Sequence, residues 1–388
     1  MGAEARLARR QKTSLGKIAQ ISCVLIVLSA CSSSGERPKP APLATIAHPI
    51  NIHRLWDVDL GDSAGTFLRP CVLEHAVFAA SRKGNLVRID PSSGKELWRI
   101  QVDGGIAAGV GSDGLTVAVA GPRGNILAFD AAGKPLWQAQ TSSTVIAPPL
   151  VAHDLVVVRS TDQRITAYEA ATGKRLWVFQ KQQPPLSLRV EEDLALYRDS
   201  VLVGFPGGRL GSIAVSNGAG RWEAAVSEPK GATDVERLSD VLGVPALAES
   251  DVCAASYQGR VGCFEVRNGD LHWAREFSAR AGVAVSNDAV FGVDGASHVS
   301  GFSRSSGASL WQSAALANRD LSAPVVVGKH LAVGDFEGRI HFLRLEDGKL
   351  EGRFDAGAGP VISTGEVWNG AVLFQTSRGH LILLSAGG

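Results

Sequence analysis

The chain reads as an all-β protein, an eight-bladed β-propeller whose ring is closed by its own N-terminal strand. Three observations predict this. A motif of a Gly turn, a strand, a second turn and a Trp recurs at spacings of 40, 39, 45, 51, 38, 41 and 41 residues, counted from Gly84 through Gly124, Gln163, Gly208, Gly259, Ser297 and Gly338 to Gly379. Each repeat carries period-two alternation, which strands require and helices do not show. The last copy, from Gly379, runs out before its Trp, and the missing half stands at the other terminus as Arg54-Leu55-Trp56.

The clearest copy, Gly84 to Trp98, shows how the elements follow from the residues. Leu86, Arg88 and Asp90 alternate with Val87 and Ile89, so successive side chains face opposite sides. Between this strand and Trp98, Pro91-Ser-Ser-Gly94 suits a tight hairpin, because Gly accepts positive φ without steric penalty. Two more apolar runs precede each copy, as in Leu150-Val151 and Leu155 to Val158. Four strands per repeat make a propeller blade. The seven repeat-bearing Trp residues (56, 98, 137, 177, 222, 273 and 311) are expected to wedge neighbouring blades, with each indole N–H on a fixed partner. Gly352 replaces the Trp of the seventh copy, and Trp368 falls outside the pattern as ordinary core. The N-terminal strand around Trp56 should complete the last blade and remove its open edge.

Three regions are expected: residues 1–30 as a secretory signal, 31–50 as a flexible tether and 51–388 as the propeller. Basic residues up to Lys17 precede an apolar run from Ile18 to Ala30, which is too short to span a bilayer. The end of that run, Leu28-Ser29-Ala30-Cys31, resembles the bacterial lipobox, which implies cleavage before Cys31 and acylation of that residue. Ser32 follows rather than Asp, which favours sorting to the outer membrane. Residues 32–42 are rich in Ser and Pro, as a tether would be. The whole chain holds 39 Lys and Arg against 38 Asp and Glu; the first 30 residues hold five and one, so 34 against 37 remain, about −3. That balance gives no basic footprint for nucleic acid.

A search for chemistry returns no catalytic, metal or cofactor site. The nine His residues form no HExxH or HxH arrangement, and no CxxC pair accompanies them. Gly109-Val-Gly111-Ser-Asp-Gly114 matches a dinucleotide-binding pattern but leads into the strand-like Leu115 to Ala120, so it reads as a loop between two strands. Cys253 and Cys263 flank an expected turn at Tyr257-Gln258-Gly259, which sets them opposite each other across a hairpin. A disulfide and burial as two separate thiols both fit that placement. Cys71 has no evident partner.

Two connections are longer than the rest, and loops on a rigid scaffold are where binding residues gather. The first contains Pro184-Pro185-Leu186-Ser187-Leu188-Arg189. The second runs from Lys230 to Pro245, where Thr233 and Glu236 make a capping box and Gly243 and Pro245 a stop, so a short helix is expected.

The repeat resembles the pyrroloquinoline-quinone (PQQ) type, as in Ala167-Tyr-Glu-Ala-Ala-Thr172-Gly173-Lys-Arg-Leu-Trp177. Quinone dehydrogenases of that type carry adjacent Cys residues, calcium-binding carboxylates and long insertions, and this chain has no Cys-Cys pair and minimal blades. Together the lipobox, the Pro-rich tether, the eight blades, the Leu186 to Arg189 loop and the Thr233 to Val241 segment are similar to the BamB family. Those proteins are lipoprotein subunits of the machinery that folds β-barrel proteins into the outer membrane. The resemblance implies a non-catalytic scaffold, anchored by lipid on the periplasmic side of the outer membrane. It implies binding to the POTRA region of BamA through Leu186, Leu188, Arg189 and Asp240, together with other subunits and unfolded outer-membrane clients. Leu242 stands where the family often has a second acid, which implies a contact that is weaker in charge or replaced by apolar burial. The alternatives are a PQQ-dependent periplasmic oxidoreductase and a periplasmic propeller with a ligand in its central channel.

Overall fold

The computed structural model describes residues 38–182, 184–188, 193–361 and 363–387. The chain divides into two units, Met1–Lys39 and Pro40–Gly388; the signal segment and Cys31 lie outside the described residues, and the second unit is the propeller.

Eight sheets succeed one another along the chain, antiparallel except where Phe67–Leu68 adds a short parallel fifth strand to the second. Blade 1 comprises Cys71–Leu73, Ala76–Ala80, Asn85–Ile89 and Glu96–Gln101. Blades 2 to 7 start at Ala108, Leu150, Leu194, Val241, Ala284 and Val325 and each contribute four further strands in order. Blade 8 takes Glu366–Trp368, Ala371–Gln375 and His380–Gly387, and its fourth strand is Asn51–Asp59 from the other terminus. That strand runs from Asn51 opposite Gly387 to Asp59 opposite His380, which closes the ring as the split motif predicts.

Burial explains why each strand has its composition. Second strands such as Ala76–Ala80 and Thr116–Ala120 are covered on both faces and are continuous runs of small or apolar residues. Outermost strands such as Glu96–Gln101 alternate between half-buried and exposed. The first strands of successive blades touch one another around the ring and so line its axis. The glycine-rich segment from Gly109, expected as a loop between two strands, is strand through Ser112 and turns only at Asp113 to Leu115 before the strand Thr116–Ala120.

The Trp residues join each blade to the next. Indole Nε1 of Trp56, Trp98, Trp137, Trp177, Trp222, Trp273 and Trp311 donates to the carbonyl oxygens of Pro91, Ala131, Ala170, Val215, Val266, Arg304 and Leu345, at 2.5 to 3.1 Å. Each acceptor lies in the outer hairpin of the following blade. The same ring covers that hairpin's Gly; a Cβ added at Gly173 would stand 2.6 Å from Trp137. A one-residue bulge before each Trp aims it there, for Arg88 pairs with Trp98 and Ile89 with Glu96, leaving Leu97 unpaired and exposed. Motif glycine and motif tryptophan are thus two halves of an inter-blade contact, each half serving a different neighbour.

Gly352 now has a physical reason. A Trp there would need the outer hairpin of blade 8, but the chain termini replace that hairpin. Ile50 and Ile52 of the entering strand cover Gly352 instead. Trp368 packs half-buried against the apolar cluster of Val77, Ala79 and Leu373, and its Nε1 also donates to the carbonyl of Glu74 at 3.0 Å, tying the inner strand of blade 8 to blade 1. The expected tether is docked over its last ten residues. Ala41 N–H donates to Ala317 O, Arg319 and Arg353 donate to the carbonyls of Ala41 and Ala44, and Ile50 N–H donates to Glu351 O.

Candidate functional site

Blade geometry fixes where the two long loops sit. In a four-stranded antiparallel blade, the turn between second and third strands and the connection to the next blade fall on the same face of the ring. The loops at 181–193 and 226–240 therefore share one face with the turns at 159–164 and 205–209.

The structure brings Leu188 and Asp240 together. Asp240 is 1% exposed, and its carboxylate accepts the Leu188 N–H at 2.6 Å and the Gly207 N–H at 3.2 Å. Burial raises its pKa, against the lowering pull of those two N–H groups and of the Arg159 charge. Arg159 is itself 1% exposed; it donates to Gly204 O at 2.6 Å and to Gln163 Oε1 at 2.7 Å, and its guanidinium lies over the Phe205 ring. Blades 3, 4 and 5 thus converge under the first loop. Asp240 was expected to face a partner, but its carboxylate is occupied by the loop's own backbone, so it positions the loop from beneath.

The leucines divide by role. Leu186 is exposed, while Leu188 is half-buried against the group that contains Leu242, Cys253, Cys263 and Trp273. Leu242 is 3% exposed and belongs to the apolar group against which Leu188 packs. A groove of about 370 Å³ opens beside Leu186, walled by Pro185, Ser187, Ser143 and Thr161. Arg189 lies outside the described residues.

The second loop departs from expectation in an informative way. Its capping box forms: Glu236 Oε2 accepts the N–H groups of Ala232 and Thr233, and Thr233 Oγ1 accepts that of Glu236. Only one turn results, because the chain is drawn inward at Leu238, Ser239 and Asp240, all buried. Gly243 and Pro245 are no stop; they lie in the bulge of the strand Val241–Ala248, where Gly243 (φ 67°) meets Gly282 backbone. The capped turn leaves Val235 at 61% exposure. Sequence reasoning did not single out Val235, although a capping box with no apolar period behind it signals a tight surface turn.

Cys253 and Cys263 pair directly across their hairpin and are joined by a disulfide. Burial pushes the Cys71 thiol up to about 11, which disfavours the thiolate at neutral pH. Among the described residues no group of His, Cys, Asp and Glu is placed to hold a metal ion.

Fold and site together define a PQQ-type propeller of minimal blades whose distinguishing surface is two apolar-tipped loops braced from within. A family model described as outer membrane protein assembly factor BamB matches residues 53–108, 82–313 and 295–387. The BamB of Bordetella pertussis is 40% identical over 366 residues, covering 93% of this chain and 95% of that protein. The crystal structure of BamB from Moraxella catarrhalis superposes with a TM-score of 0.79 at 26% identity, covering 86% of this chain and all of that one. This chain belongs to the BamB family of outer membrane protein assembly factors. A quinohemoprotein alcohol dehydrogenase from Pseudomonas putida, with a TM-score of 0.69 at 13% identity over 87% of this chain and 76% of that one, shares the fold alone.

Proposed function

We propose that the protein is a non-catalytic scaffold of the β-barrel assembly machinery, tethered by lipid on Cys31 to the periplasmic face of the outer membrane. Its loop face binds the POTRA region of BamA, beside other subunits, and holds that region near unfolded outer-membrane chains awaiting insertion. The observation that carries this reading is Leu186, exposed on a loop whose next leucine is fixed by a buried carboxylate. An exposed apolar side chain on a preorganised loop is what a binding hot spot needs, since little ordering entropy remains to be lost. Arg189, adjacent in sequence to Leu188, would add a charge-assisted contact beside these anchors.

The test is co-purification. An Arg189→Glu chain with an unchanged circular dichroism spectrum should no longer carry BamA through affinity purification. Full retention of BamA would remove Arg189 from the contact.

A further inference from the structure

The first long loop is followed at once by a charge that reaches across the ring. Asp193 precedes the innermost strand of blade 4, Leu194–Tyr197, and its side chain is 1% exposed. Arg69 Nη1 meets Asp193 Oδ2 at 2.5 Å, and Arg69 Nε meets Glu366 Oε1 at 3.1 Å. Glu366 opens the innermost strand of blade 8. Blades 4 and 8 are opposite in a ring of eight, so this one guanidinium ties both sides of the axis.

Arg69 is a rigid arm. Its N–H donates to Gly109 O and its carbonyl accepts the Val110 N–H, both at 2.8 Å. The adjoining Phe67–Leu68 pairs in parallel with Ala108–Gly109 of blade 2. The loop therefore has two internal fixings, Leu188 on Asp240 and Asp193 on Arg69, five positions apart with Arg189 between them in sequence.

Resting on the docking reading above, we propose that Arg69 is a positioning residue for partner binding: anchored on blade 2 and tied to Glu366 of blade 8, it fixes Asp193 at the C-terminal end of the docking loop, as Asp240 fixes Leu188. The partner meets Leu188 and Asp193 already held in place, so binding does not have to fix these two positions. The channel mouth at Arg69 works here as a brace for the outer surface. Replacing Arg69 removes the brace without touching any exposed residue of the loops.

The experiment uses the full chain in detergent and the isolated POTRA region of BamA. Arg69→Met and Asp193→Asn are compared with Leu186→Glu for affinity, thermal midpoint and hydrogen exchange. Arg69→Met should weaken binding by about tenfold, as loss of preorganisation does, with faster exchange confined to residues 184–188 and 193–194. Asp193→Asn, which keeps an acceptor for Arg69, should fall between it and the parent. Unchanged affinity in a folded Arg69→Met chain, while Leu186→Glu fails to bind, would overturn the positioning role alone. Faster exchange throughout blades 4 and 8 would reassign Arg69 to ring stability and overturn it too. Full affinity in Leu186→Glu would overturn the docking reading and the inference with it.

Discussion

Replacing Gly173 by Ala puts one methyl group where blade 2 meets blade 3. Gly173 has φ 73°, and a Cβ there would lie 2.6, 2.7 and 2.8 Å from Cδ2, Cε3 and Cγ of Trp137. The left-handed backbone costs a non-Gly residue about 1–2 kcal/mol. Overfilling a packed contact costs a further ~1–3 kcal/mol, so the total is about 2–5 kcal/mol. Gly104 is the matched control: its φ is 82° and an added Cβ meets nothing within 4 Å. Gly104→Ala should therefore lose only the strain, about 1–2 kcal/mol. Urea unfolding followed by Trp fluorescence reads both. Trp137→Val should relieve much of the Gly173→Ala penalty, with a coupling of about 1 kcal/mol or more in a double-mutant cycle. Equal losses at Gly173 and Gly104, or no coupling to Trp137, would refute the inter-blade contact as the reason for the motif.

Two further predictions concern the ring's buried chemistry. Asp335 and His341 are fully buried, with His341 Nε2 at 3.0 Å from Asp335 Oδ2 and Nδ1 without a hydrogen-bond partner. Burial pushes His341 below its usual 6.5 despite the Asp335 charge. For Asp335 burial acts upward, but the hydrogen bond from His341, the Arg339 N–H and Arg319 together hold it below its usual 3.8. Both folded values are depressed, so the unfolded chain takes up protons first. The stability these groups contribute is complete above about pH 6.5 and declines in two stages, first as pH falls below 6.5 and again below about 4. His341→Gln should abolish the first stage in urea midpoints measured from pH 7.5 to 5; an unaltered profile would count against this assignment. The Cys253–Cys263 bridge closes a short loop of sequence separation 10, worth up to about 3 kcal/mol of chain entropy. Mass measurement of the non-reduced mature protein after thiol labelling should therefore find one free Cys, Cys71, beyond any acylated Cys31, and labelling of Cys253 or Cys263 would contradict the bridge.

Much of the ring was legible because its signals are local. Gly at a left-handed turn and apolar alternation along a strand act over a few residues, and repetition multiplied them until the split copy gave closure as well. The direction of the Trp contact was not legible. A bulge leaves no mark on composition, and Gly173 meets Trp137, 36 positions earlier. The helix expected at Thr233 failed for a related reason: the cap is local and formed, but burial of Leu238 to Asp240 is set by blades 4 and 5 and stopped the helix after one turn. At the two long loops the residue types were readable and their roles were not. An Asp beside a surface loop reads as a contact, and only the fold shows its carboxylate turned inward to Leu188. Arg69 carried no signal, since its partners lie 124 and 297 positions away at Asp193 and Glu366.

The face bearing Leu186 and Val235 is the proposed seat of BamA's POTRA region. Its most direct test is a photo-crosslinking amino acid placed in turn at Leu186, at Val235 and at exposed Leu271, which lies on an outermost strand away from the loops. Crosslinks to BamA are expected from Leu186 and Val235 in intact cells and none from Leu271. Crosslinks from Leu271 with none from either loop would contradict it.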